Sequence, residues 1–186
     1  MRYSRREAIK FNVMATAALL FKPAEGAAQT PAATEEEHWL WWDSALTLKL
    51  IGKETGSSTT WLLLDARPKE GSPLHKHSHE DEVFYVLSGS FEFVVGEKTV
   101  IAGPGRCLYG PREVPHRWTN IGGKPGRLLT SFTPAGMEEF FLALAVPIQS
   151  PGDQPHIDMS VVGPRIPAAA QKAGLVLVGP KKYPRG

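Results

Sequence analysis

Between residues 39 and 135, apolar and polar residues alternate in short runs, most of them closed by Gly, Pro or Asn. A period of two over four to eight residues marks strands with one buried face. The pattern predicts strands over residues 39–42, 46–51, 59–65, 83–87, 90–95, 98–101, 106–109, 116–120 and 127–132. Residues 52–58 read as a turn, and Gly96-Glu97 between two apolar runs reads as a tight hairpin. Many short strands at close spacing predict an all-β sandwich or barrel. The period then changes: Met137, Phe140, Phe141 and Leu144 share one helical face, and Pro147 stops the helix. That helix is expected as core or as a cover over the barrel mouth. Residues 148–166 are rich in Pro and Gly and read as irregular. A short helix over 168–173 and a strand over 175–178 are expected to follow.

The first residues follow a different logic. A basic stretch, a short apolar run and a small-residue segment occur in the order of a secretory signal. The apolar run is too short to span a bilayer. Ser4-Arg5-Arg6-Glu7-Ala8-Ile9-Lys10 reads as a twin-arginine export motif, with Ala8 and Ile9 where a bulkier pair is usual. The expected layout is a signal over 1–28, a polar lead-in over 29–38, a barrel with its helix over 39–146, and an extension over 147–186 packing on the barrel. The expected location is periplasmic or secreted, with no membrane association after cleavage. Charge changes with this reading. Residues 1–28 hold Arg2, Arg5, Arg6, Lys10 and Lys22 against Glu7 and Glu25, so the rest of a chain of net charge +2 is close to neutral. With no Lys/Arg stripe elsewhere, nucleic acid is not an expected partner. One cysteine, Cys107, excludes an intrachain disulfide and reads as a small core residue.

Chemistry concentrates in two clusters. The first is Leu74-His75-Lys76-His77-Ser78-His79-Glu80-Asp81-Glu82. His75 and His77 are two apart, so on a strand both imidazoles point to one side, as a transition-metal site requires. On the next strand Glu82, Phe84 and Val86 share a face, so an inward Glu82 adds an anionic oxygen. The second cluster, Pro111-Arg112-Glu113-Val114-Pro115-His116, brings His116 to the start of another strand. Periodicity leaves rivals open: His77 with His79 also have the spacing of a pair, and Glu80 or Asp81 offers a carboxylate in place of Glu82.

These residues resemble the two signature motifs of the cupin superfamily. His75, His77, Glu82 and Gly89 stand at the spacing of the first motif, and Pro111, His116 and Asn120 at that of the second. Glu113 replaces a glycine, and Gly71 lies closer to His75 than the family pattern has it. The six-residue gap from Glu82 to Gly89 favours the register His75, His77, Glu82. The resemblance implies a jelly-roll-like cupin barrel with one or two short C-terminal helices. The run Val83 to Leu87, with Phe132 to Gly136 and the Phe-rich helix, is similar to small bacterial cupins related to quercetin 2,3-dioxygenase. That implies a metal-dependent dioxygenase-like oxidoreductase acting on a small aromatic or enolic substrate. The other expectations are a non-catalytic periplasmic binder and a metal-dependent isomerase or lyase.

The expected cofactor is one divalent transition metal on His75, His77, Glu82 and His116. Mn, Fe or Ni is favoured over Cu or Zn, because a twin-arginine substrate folds and loads in the cytoplasm. Glu82 is also the expected catalytic base. Trp61, Leu63, Phe84, Val86, Trp118, Met137, Phe140 and Phe141 are expected to line an apolar pocket. Trp39-Leu40-Trp41-Trp42 is apolar enough to cover a sheet edge, and a homodimer is expected.

Overall fold

The computed structural model describes residues 37–41, 44–150, 153 and 157–179. Arg5 and Arg6, the signal segment, most of the lead-in, Trp42 and His156 lie outside the described residues. Within them, the alternating runs assemble into two antiparallel sheets. One has seven strands in the order β11 (Val146–Ile148), β1 (Glu37–Trp41), β2 (Ser44–Leu50), β3 (Thr60–Ala66), β10 (Gly126–Thr133), β5 (Asp81–Ser88) and β8 (Cys107–Gly110). The other has five, ordered β12 (Leu175–Leu177), β4 (His75–His77), β9 (His116–Asn120), β6 (Phe91–Val95) and β7 (Lys98–Ala102). Four short helices are α1 (Gly52–Thr55), α2 (Glu138–Leu144), α3 (Met159–Val162) and α4 (Ile166–Lys172). The protein is an all-β fold of the jelly-roll kind.

Alternation decides what faces inward. Glu82, Phe84 and Val86 of β5 are buried, while Tyr85 and Leu87 between them are exposed. Leu46, Leu62, Leu64, Phe84, Val86, Leu128 and Phe132 from the seven-stranded sheet join Phe91, Phe93 and Trp118 from the other in one cluster. Each such side chain contributes roughly 1.5–3 kcal/mol by leaving water. Gly96 begins the β6–β7 hairpin with φ +58, a left-handed conformation that glycine adopts without steric cost.

The helix after β10 forms as its spacing predicts, with Met137, Phe140, Phe141 and Leu144 buried against the barrel. Its first residue, Glu138, is buried too. The Glu138 carboxylate accepts N–H groups from Gly52 at 2.7 Å and Gly136 at 2.8 Å, and the Thr60 hydroxyl. It thereby ties α2 to β3 and α1.

Three expectations are corrected. The extension is not irregular where it begins, because β11 pairs with β1; further on, α4 and β12 form close to the expected helix over 168–173 and strand over 175–178, and β12 pairs with β4 through Leu175↔His77 and Leu177↔His75. β11 is three residues long, below the length at which a period is readable. The apolar strand β1 therefore does not form an edge, because it lies between β11 and β2. Cys107 is exposed rather than core. It sits opposite the exposed Tyr85 on the outer face, and a period of two has no intrinsic sign.

Candidate metal centre

β4 places His75 and His77 on the same side, and β9 sets His116 directly opposite His75. Glu82 opens β5 in the facing sheet, paired with Gly110 and Phe132. Gly110 makes room for the imidazole of His116: a Cβ there would lie 3.1 Å from the ring. All four side chains are buried, and their ligand atoms lie within 4.8 Å of one another.

Glu82 Oε2 stands 3.0 Å from His116 Nε2, 3.2 Å from His77 Nε2 and 3.8 Å from His75 Nε2. Two donors each about 2.1 Å from one ion are about 3.0 Å apart at right angles and about 3.4 Å apart in a tetrahedron. The spacing therefore fits donors grouped around a single ion. Proton bookkeeping points the same way. His75 Nδ1 donates to the Pro73 carbonyl at 2.8 Å, and His116 Nδ1 donates to the Val114 carbonyl at 2.8 Å. In the neutral rings each Nε2 is then a lone pair aimed at a carboxylate oxygen. Such a cluster of acceptors needs positive charge among them. Protons would serve the pairs one at a time, whereas one cation serves all four ligands. The cluster is compatible with a divalent metal.

The charges respond to this crowding. Burial pushes His75 down, only partly offset by Glu82. Burial also disfavours a charge on His116, but the Glu82 carboxylate outweighs it and holds His116 above its ordinary value. Burial would raise Glu82; hydrogen bonds from His116, His75 and His77 reverse the sign and hold it well below the usual carboxylate range. Burial pushes Glu80 up.

The rival ligands lie elsewhere. The ring of His79 rests on Gly174, where a Cβ would come within 2.6 Å of it. Asp81 is paired with Arg112, whose hydrogen bonds hold the Asp81 carboxyl down at about 2. Glu80 is buried behind His77, with its Oε2 3.8 Å from His77 Nδ1.

A cavity of about 110 Å3 opens over the cluster and reaches His75, His77 and Glu82. A water needs about 10–15 Å3 on this measure, so the space accepts a small organic molecule. Trp118, Met137, Phe140 and Phe141 line it. Trp61 and Leu63 do not: Trp61 is 37% exposed, and both lie on the strand face opposite Leu62 and Leu64, which line the cavity instead. Residues 61–64 are an unbroken apolar run, so alternation gave no face to choose. Phe84 and Val86 share the inward face of Glu82 but are fully packed core rather than lining. Phe132, Ile166, Ala170, Leu175 and Leu177 add to the apolar wall, and residues 70–73 supply a more polar stretch of it. Four of these five come from the C-terminal extension.

Residues 62–132 match the model of the cupin domain. The match spans all four clustered ligands and supports the cupin superfamily for the barrel. An uncharacterized protein of Methanocaldococcus jannaschii is 31% identical over 67 residues, which is 36% of this chain and 54% of that protein. The chain thus spans about half the length of the curated relative it matches. Among solved structures, KdgF from Halomonas sp. is 15% identical with a TM-score of 0.49, covering 54% of this chain and 88% of that one. A predicted oxalate decarboxylase from Thermotoga maritima is 21% identical with a TM-score of 0.48, covering 49% and 80%. A cupin sugar phosphate isomerase from Silicibacter pomeroyi is 24% identical with a TM-score of 0.42, covering 47% and 59%.

Proposed function

We propose that this cupin protein is a metal-dependent oxidoreductase, dioxygenase-like, acting on a small aromatic or enolic substrate. The observation that carries the reading is the convergence of three imidazoles and one carboxylate, of which His75, His77 and Glu82 reach the floor of a mostly apolar cavity. Held by His75, His77, Glu82 and His116, a bound ion would supply Lewis acidity toward a substrate oxygen and, if redox-active, electron transfer with O2. The residues of the chain do the rest. Trp118, Phe140 and Phe141 offer aromatic surface to a ring and exclude water. Glu82 is the base for an enolic hydroxyl once it releases a histidine contact, since its carboxylate holds a proton poorly while three imidazoles surround it.

In the proposed reaction both atoms of O2 enter the organic product and no external reductant is consumed. Oxygen uptake with enolic aromatic substrates, followed by isotope-labelled O2, tests this directly. Stoichiometric uptake with two labelled atoms in the product is expected. Turnover without O2 would make the protein an isomerase or lyase, and tight binding without turnover a periplasmic binder. Glu82→Gln separates ligation from base catalysis when metal content and turnover are measured independently. Loss of both together would leave ligation as the supported role.

Mn, Fe or Ni is the proposed ion, on the argument that a protein exported folded acquires its metal in the cytoplasm. Stoichiometric copper in protein purified from its own periplasm would contradict both halves of that argument. A homodimer completes the reading. Exposed Tyr85, Leu87 and Tyr109 form an outer apolar face beside β8, the terminal strand of its sheet. Sedimentation should show a dimer at micromolar concentration, and a monomer alone would contradict it.

A further inference from the structure

Among the described residues, the buried side-chain polar atoms without a hydrogen-bond partner are Trp39 Nε1, Asp65 Oδ2, His77 Nδ1, Glu80 Oε2 and Thr130 Oγ1. Two of these face each other. His77 Nδ1 and Glu80 Oε2 are 3.8 Å apart, on side chains 1% and 3% exposed. Leaving a buried polar atom unpaired is costly, and leaving two side by side is doubly so. The separation is too short for a bridging water, whose two hydrogen bonds of about 2.8 Å would hold its partners more than 4 Å apart. It is about 1 Å too long for a direct hydrogen bond.

The histidines of the cluster differ in this one respect. His75 and His116 each donate Nδ1–H to a backbone carbonyl of their own loop. His77 has no carbonyl there. A ring bound through Nε2 must carry its proton on Nδ1, and that proton needs an acceptor. The Glu80 carboxylate is the acceptor the fold puts in reach. Arg112, which lies near enough to compete for it, is already held by Asp81 through two side-chain contacts.

We propose that Glu80 is the positioning residue for His77: its carboxylate accepts a hydrogen bond from His77 Nδ1–H when Nε2 binds the ion, fixes the ring, and makes His77 the strongest donor of the three. The inference rests on the metal reading above and adds a fifth residue that touches no ligand atom. It also explains why a carboxylate is buried three residues after His77, where neither spacing nor alternation calls for one.

The test is a titration of the metal-free full chain with Co2+ against a competing chelator, reading affinity and the visible absorption of bound Co2+. Glu80→Ala should weaken Co2+ by about 10–100-fold, with a shifted absorption band, and Glu80→Gln by less. His79→Ala, which alters the neighbouring ring, should change neither. Thermal unfolding of metal-free Glu80→Gln should be unchanged or raised, because a buried carboxylate whose Oε2 has no hydrogen-bond partner is gone. Unaltered affinity and spectrum in both Glu80 variants would overturn the inference while the metal reading stands. Weakened binding with an unaltered spectrum and a lowered unfolding temperature would make Glu80 merely structural, and so also overturn it. If the wild-type chain itself fails to take up one Co2+, the metal reading falls and carries this inference with it.

Discussion

Glu113 occupies a position where the resembling motif has glycine, and its backbone shows why: φ is +63, in the left-handed region. A side chain there costs about 1 kcal/mol. The compensation is an exposed contact to Lys76, of a kind that adds little. Glu113→Gly is therefore expected to stabilise the protein by about 1 kcal/mol in chemical unfolding, with metal content unchanged. Glu138 shows the opposite case. Its carboxylate is held below the ordinary value: burial opposes this, but the Thr60 hydroxyl and the Gly52 and Gly136 N–H groups prevail. A folded value below the unfolded one means that its stabilisation is present above the unfolded value of about 4.5 and is lost as pH falls through the folded value. Glu138→Gln should cost about 2 kcal/mol near neutral pH, and the gap from wild type should close in acid. Equal losses at both pH values would contradict this assignment. At this scale the sequence was legible where motif and alternation agreed, as at Glu82, and illegible where neither applied. Nothing in the pattern marks Glu80 or Glu138 as buried, because their partners come from segments distant in sequence or are set only by the fold.

At the scale of elements, β12 is the piece that pattern reading placed but did not explain. It adds to the outer side of β4, opposite the two histidines, and Ser78 N–H donates to the Gly174 carbonyl at 2.8 Å. Gly174 has φ +67, and a Cβ there would press on the ring of His79. Gly174→Val should displace β12 from β4, lower stability by about 1–2 kcal/mol and loosen the His75–His77 pair. Thermal unfolding and Co2+ affinity measured together check this, and a variant with wild-type values in both would show that β12 is incidental. The central strands were readable because each is long enough to show a period and ends at a Gly, Pro or Asn. The exceptions are instructive. Residues 61–64 are apolar throughout, so the strand was evident but its inward face was not. β4 and β11 are three residues long and owe their form to the neighbours they pair with.

For the molecule as a whole, the cupin match ends at residue 132, but the cavity does not. Helix α2, helix α4 and β12 close it, so the barrel supplies the ligands and the following segment supplies most of the apolar wall. This division predicts separable effects. Ala170→Phe places a ring in the cavity from α4 and should weaken binding of a small aromatic ligand by at least about tenfold, or ~1.4 kcal/mol, with metal stoichiometry intact. Ligand binding unchanged in that variant would place the substrate elsewhere. The central claim, one ion on four named residues, is tested most directly by anomalous diffraction at transition-metal absorption edges from crystals of natively loaded protein. The account predicts one strong peak about 2.0–2.3 Å from His75 Nε2, His77 Nε2, His116 Nε2 and a Glu82 oxygen. A peak coordinated by His79, or no peak while these four side chains keep their places, would contradict it.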